Sequence, residues 1–259
     1  MKSKLHLTAL QIPLFWEAPI KNRAHIDQHL KKVNSNTDLV VLPEMFTSGF
    51  TMNPKAVAEP MGGSTMQWMQ SWAIKMNSAL GGSLVIQEGD QYYNRFVLVT
   101  PSEEVMYYDK RHTFTLAGEH LLYKSGSKEG IFEYLGWKIC LRICYDLRFP
   151  VWSRNTQDYD LLLFVANWPK PRIHAWDTLL QARAIENMAY VAGVNRIGLD
   201  EKDNDYPGHT AVYDALGQII SGKRSGVESL ITAELDYLEL QEHRKRLRFL
   251  EDRDNFDLY

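Results

Sequence analysis

Lys138-Ile139-Cys140-Leu141-Arg142-Ile143-Cys144, followed further along by Asp160-Leu161-Leu162-Leu163-Phe164-Val165-Ala166, decides how this chain folds. Both stretches read as strands, and the second is apolar almost throughout, as expected of a strand covered on both faces. A strong helix is expected over 176–190, then strands at 191–197, 210–214, 218–221 and 229–234 and a last helix at about 236–249. A polar tail of about 250–259 ends the chain. Upstream the elements are a strand at 5–12, a helix at 21–33 and a short buried strand at 38–42. Met66, Met69, Trp72, Ala73 and Met76 recur at helical spacing, giving a helix over 65–77 that Gly81-Gly82 should stop. Strands follow at 83–88, 92–100, 105–108 and 131–135, with a short helix at about 149–154. Strands interleaved with helices imply an α/β protein, sheets covered by helices, in one domain spanning 1–259. Residues 110–130 show no period and form a long loop, a length usually tied to function.

Composition excludes several classes. The chain has 259 residues, 45% of them hydrophobic and 24% charged, and a net charge of −3. No global positive field would draw in nucleic acid or an anionic membrane. The basic run 243–248 is followed at once by Glu251, Asp252 and Asp254, so it reads as a solvated helix face. Met1-Lys2-Ser3-Lys4 has the charge of a signal peptide's start, but the residues behind it alternate like a strand. No run approaches the roughly 20 apolar residues of a membrane helix, so a soluble, cytoplasmic protein is expected. Cys140 and Cys144, placed in one strand over 137–145, would be about 13 Å apart, too far for a disulfide.

Three segments end an apolar strand on a reactive side chain: Leu42-Pro43-Glu44, Tyr108-Asp109-Lys110 and Ile143-Cys144. Sites in α/β sheets collect at the carboxyl ends of strands, so neighbouring strands would bring a carboxylate, an ammonium and a thiol together. An ammonium favours a thiolate, a carboxylate can shuttle the thiol proton, and the ammonium with the N–H of Tyr145 can hold an oxyanion. That is acyl transfer through a thioester, with no metal or other cofactor. Taken singly, each residue has an ordinary explanation: a loop carboxylate, a surface lysine, a small core thiol.

The wording of these segments resembles the nitrilase (carbon–nitrogen hydrolase) superfamily. Leu42-Pro43-Glu44-Met45-Phe46, Tyr108-Asp109-Lys110-Arg111-His112 and Ile143-Cys144-Tyr145-Asp146-Leu147-Arg148-Phe149-Pro150 are similar to its three signature segments, in order. The likeness continues through Ala166-Asn167-Trp168-Pro169 and Tyr206-Pro207-Gly208-His209-Thr210. It implies a four-layer α-β-β-α sandwich, commonly paired as a homodimer, with Glu44 as base, Lys110 as oxyanion partner and Cys144 as nucleophile. A second family glutamate maps best onto Glu119. Glu44–Phe50 and Val151–Asn155 look most like the bacterial ω-amidases, which implies as substrate the ω-amide of a dicarboxylic 2-oxo acid. Tyr145, Asn167 and Trp168 are expected to line the substrate pocket, Trp168 equally well as a packing aromatic. A bidentate arginine would suit the far carboxylate, with Arg111, Arg148, Arg172 and Arg196 as candidates; Arg148 fits a structural ion pair better.

Rivals fare worse. His25 and His29 share a helix face as metal ligands can, but Ile26 stands where a zincin has glutamate, so no metal site is expected. There is no Gly-x-Ser-x-Gly elbow, Walker loop or Gly-x-Gly-x-x-Gly. Another amidase of the superfamily, or a silent binding protein on the same scaffold, stays open.

Overall fold

The computed structural model describes residues 2–222 and 226–258, so both ends of the expected 1–259 domain, Met1 and Tyr259, lie outside it. In chain order the elements begin β1 (Lys4–Gln11), α1 (Pro19–Leu30), β2 (Leu39–Val41), α2 (Pro54–Val57), α3 (Ser64–Met76), β3 (Ala79–Glu88), β4 (Gln91–Val99) and β5 (Val105–Asp109). They continue β6 (Ile131–Tyr134), β7 (Trp137–Ile143), β8 (Leu161–Ala166), α4 (Ile173–Asn187), β9 (Tyr190–Asn195), β10 (Ile197–Leu199), β11 (Asp205–Pro207), β12 (Ala211–Tyr213), β13 (Ser229–Asp236) and α5 (Tyr237–Leu247). One sheet has the order β13-β1-β2-β3-β4-β5, the other β12-β9-β8-β7-β6, and β10 pairs with β11 in a small ribbon. Both large sheets are mixed: β1, β2 and β3 run parallel, as do β7, β8 and β9.

The alternation of side chains on these strands builds three apolar layers. Leu7, Leu39 and Val41 of the first sheet meet Leu141, Leu161, Leu163 and Val165 of the second in the central core. The other faces of the same strands are covered by helices. Val40 and Leu42 pack with Ile26, Leu30, Met69 and Trp72, and Leu162 and Phe164 pack with Trp176, Leu180 and Ala184. The protein is therefore an α-β-β-α sandwich, and β8 is buried along its whole length because it feeds two cores.

Several boundaries differ from expectation. Gly81-Gly82 does not stop α3; Asn77 does, in the left-handed conformation. The two glycines lie inside β3, where a Cβ on Gly82 would come 2.8 Å from Leu42 and 2.9 Å from Phe46. Their signal is close packing, not a break. Met188 ends α4 in the same left-handed way, so Tyr190 opens a strand instead of closing the helix. The expected strand at 218–221 is an isolated bridge of Ile219 to Tyr213. The expected helix at 149–154 is replaced by two tight 3-10 turns, Cys144–Arg148 and Val151–Ser153. In the basic run, Arg244 faces inward: it pairs with buried Asp160 at 2.9 Å and donates to the carbonyls of Met188 and Tyr159. Among the described residues, no helix is long and apolar enough to cross a membrane.

Candidate active site

Strand adjacency does not assemble the site. β2 and β5 are separated by β3 and β4, and β7 belongs to the other sheet. The reactive ends converge because the two sheets face each other with these ends together. Glu44 follows β2, Lys110 follows β5 and Cys144 follows β7. Cys144 is not the last residue of its strand, as expected, but the first of a 3-10 turn, with φ +43°. Met45, directly after Glu44, also has a positive φ, of +45°. Non-glycine residues hold such angles only where neighbours impose them. At the thiol turn the agent is Asp146, whose carboxylate accepts from the backbone N–H groups of Ile143 and His112 at 3.0 Å and from the Tyr108 hydroxyl at 2.8 Å. Nothing in the expected site included Asp146, although it sits in the quoted Cys144-Tyr145-Asp146 segment.

Glu44, Lys110 and Glu119 are buried together. Lys110 Nζ donates to Glu44 Oε1 at 2.9 Å and to Glu119 Oε2 and Oε1 at 2.9 and 3.1 Å. Burial opposes the charge on Lys110, but Glu119 and Glu44 beside it outweigh that and hold its pKa above the ordinary lysine value. Burial raises Glu119, with Lys110 pulling the other way. Asn94, in the middle of β4, donates to Glu44 Oε1 at 2.8 Å and Glu119 Oε1 at 3.3 Å, while its own oxygen accepts from Ser83. Sequence reasoning passed over Asn94; its signal is a polar residue beside the apolar run Phe96–Val99 of the same strand.

Cys144 is partly exposed at the floor of a cleft, with Glu44 and Lys110 as neighbours. Burial pushes the thiol well above its usual range, and the Glu44 carboxylate reinforces this against the pull of Lys110.

The expected lining residues all reach the cleft, whose volume is about 750 Å³, within the range of small-molecule sites. Tyr145 packs edge-on to Phe114. Trp168 does both jobs left open for it: it lines the cleft and packs against Trp176. Asn167 donates from its backbone N–H to Glu44 Oε2 at 2.8 Å and from Nδ2 to the Glu44 carbonyl at 2.8 Å. Those bonds fix the orientation of the amide, and its Oδ1 is buried without a partner. Of the four arginines, Arg148 and Arg172 line the cleft. Arg148 lies over the Trp168 ring and Arg172 over the Phe114 ring, and among the described residues neither has an ion pair. The structural ion pair expected for Arg148 is absent among the described residues. Arg196 is buried on backbone carbonyls and Arg111 lies over Trp152, bonded to the Gly126 carbonyl.

A two-sheet α/β sandwich with a buried carboxylate–ammonium–carboxylate cluster beside a cleft thiol defines a narrow class of hydrolase-like architecture. The chain belongs to the carbon–nitrogen hydrolase family, whose signature matches residues 6–245. It is 46% identical to the ω-amidase YafV of Yersinia enterocolitica, over 98% of each chain. It is 33% identical to the 2-oxoglutaramate amidase of Bacillus subtilis, covering 96% of this chain and 97% of that one. A crystal structure from Xanthomonas campestris, a carbon–nitrogen hydrolase superfamily protein with an arsenic adduct in its active site, superposes with a TM-score of 0.97 at 40% identity, over the full length of both.

Proposed function

We propose that this enzyme hydrolyses the ω-amide of dicarboxylic 2-oxo acids, 2-oxoglutaramate and 2-oxosuccinamate, to the 2-oxo acid and ammonia. The observation that carries the proposal is the Glu44–Lys110–Glu119 cluster at Cys144, opening on a cleft that also presents two guanidiniums without an ion pair among the described residues. The relatives named for ω-amides and 2-oxoglutaramate support the same substrate class.

In the proposed reaction, Glu44 takes the thiol proton as the sulfur attacks the amide carbon. Lys110 and the N–H of Tyr145 receive the oxyanion. Lys110 is bonded to both oxygens of Glu119 at rest, and giving up one of these bonds frees a donor for the oxyanion. The unpartnered Oδ1 of Asn167 accepts an N–H of the substrate amide. Glu44 then protonates departing ammonia and deprotonates the water that cleaves the thioester. Glu119 and Asn94 hold Lys110 and Glu44 in register.

The far carboxylate is assigned to Arg172 and Arg148. Two of the acids on the same cleft are engaged locally: Glu17 by Thr51 and Asn53, Asp200 by Asn204 and Tyr206. A charge-assisted contact is worth about 1.5–3 kcal/mol, so Arg172→Met should raise KM for 2-oxoglutaramate about tenfold or more. Hydrolysis of an uncharged amide of similar length should change little in the same variant. An unchanged KM for Arg172→Met and Arg148→Met alike would remove both from substrate recognition.

The enzyme is further proposed to be cytoplasmic, in keeping with two free cysteines, and to work as a single-domain homodimer. Ile185 on α4 stands half exposed beside the turn at Gly217, and Leu216, Ile219 and Ile220 extend that apolar surface. Ile185→Glu should shift the mass measured by light scattering from dimer to monomer. A monomer already in the parent, or an unaltered dimer in Ile185→Glu and Ile219→Glu, would contradict this interface.

A further inference from the structure

We propose a zinc site made by His25, His29 and Glu228, fastening α1 to the segment that enters β13. The two histidines stand one turn apart on α1, with ring centroids 5.0 Å apart. Their Nε2 atoms lie 2.6 and 2.7 Å from the same oxygen of Glu228, and the three ligand atoms fall within 4.8 Å of one another. Among the described residues this is the one such three-ligand cluster. The sequence argued against a metal here because Ile26 occupies the position of a zincin glutamate; folding brings the third ligand from the far end of the chain.

Two imidazoles and a carboxylate are a donor set for a borderline divalent ion such as Zn²⁺, which leaves a fourth position for water. The rings do not sit as in a pair of hydrogen bonds. His25 Nε2 is buried and has no hydrogen-bond partner despite the 2.6 Å approach of the carboxylate, so the nitrogen is not directed at that oxygen. A ligand lone pair aims at the cation, not at the neighbouring ligand. Zinc–ligand bonds of about 2.0–2.1 Å set tetrahedral ligands about 3.3 Å apart. Seating the ion therefore needs Glu228 to withdraw by roughly 0.6 Å, which its 37% exposed side chain permits. The His25 ring is already placed: Phe15 packs edge-on to it at 5.6 Å, and Phe15 is tied to α1 by two bonds with Asn22. Trp16 and Glu17, the next residues, line the active-site cleft. The ion would thus brace the segment from which one wall of the cleft is built, without touching the thiol.

The test is Zn²⁺ titration of chelator-stripped protein at pH 7.5 against a chromogenic chelator, in a Cys144→Ala background that removes the cleft thiol as a competing ligand. One equivalent should bind with micromolar affinity or better, and Zn²⁺ in excess should raise Tm by about 5 °C or more. The His25→Ala/His29→Ala pair should abolish both effects, and Glu228→Gln should weaken binding about tenfold or more. In chain that retains Cys144, the histidine pair should leave ω-amide hydrolysis within a factor of about two, showing that the fold is intact. Failure of the parent to bind one equivalent, or equal binding by the histidine pair, would overturn the proposal.

Discussion

Cys144→Ala is expected to abolish ammonia release from 2-oxoglutaramate, by a factor of about 10⁴ or more, while Tm stays near that of the parent. The size of the loss follows from what remains. Without the sulfur there is no acyl-enzyme, and a water held by Glu44 would have to attack an unactivated amide directly. Stability is spared because the side chain is small and partly exposed at the cleft floor. Cys140 supplies the internal control. It is buried in the core between β7 and α4, and burial pushes its thiol up to about 11, so it is inert at neutral pH. Cys140→Ser should keep most of the activity and lower Tm, since it buries a hydroxyl among apolar side chains. Activity lost in Cys140→Ser without unfolding, or kept in Cys144→Ala, would mean the wrong thiol has been chosen.

Lys110→Met should have the second large effect, as much on stability as on turnover. The ammonium lies between Glu44 and Glu119, all three buried. Removing one member of such a group leaves uncompensated buried charge and costs about 3–5 kcal/mol, whereas the activity falls to background because the oxyanion loses its cation. The cost should depend on pH. Burial already raises the pKa of Glu119 above the ordinary value, and without Lys110 the remaining carboxylates can relieve their repulsion only by taking up a proton. A carboxyl whose folded pKa lies above its unfolded one contributes stability that is lost as pH rises through the folded pKa. Urea unfolding should therefore show the gap between Lys110→Met and parent widening from about pH 5 to pH 8, above the unfolded glutamate range near ~4.3. A gap that stays constant over that interval would show that Glu44 and Glu119 are not facing each other as charges.

What the sequence made legible was local. An apolar run such as Leu161–Ala166 announces a strand with two covered faces, and the reactive ends of three strands announce a site. What it hid was pairing. The strands leading to Glu44, Lys110 and Cys144 lie in two different sheets, a fact about partners distant in sequence that no periodicity encodes. The role of Asn94 depends on β3 and β5 flanking β4, and that of Asp146 on a turn whose strain is visible only in the backbone. Gly81-Gly82 misled because glycine marks both breaks and tight packing, and only Leu42 and Phe46 against its Cα tell the two apart. The direction in which the Cys144 thiol is pushed was likewise beyond the sequence: Lys110 alone would lower its pKa, but burial and Glu44 act together the other way. His25 and His29 were correctly placed on one helix face, while Glu228 became their neighbour only through the fold.

The most direct test of the central claim is ammonia release by the intact enzyme from 2-oxoglutaramate, measured beside asparagine, glutamine, an N-carbamoyl amino acid and a simple nitrile. Fast release from the 2-oxo amide, slow or no release from the others, and its loss in Cys144→Ala is the predicted result. Release that favours one of the other compounds, or no release from 2-oxoglutaramate, would contradict the assignment of this cleft to ω-amides of 2-oxo acids.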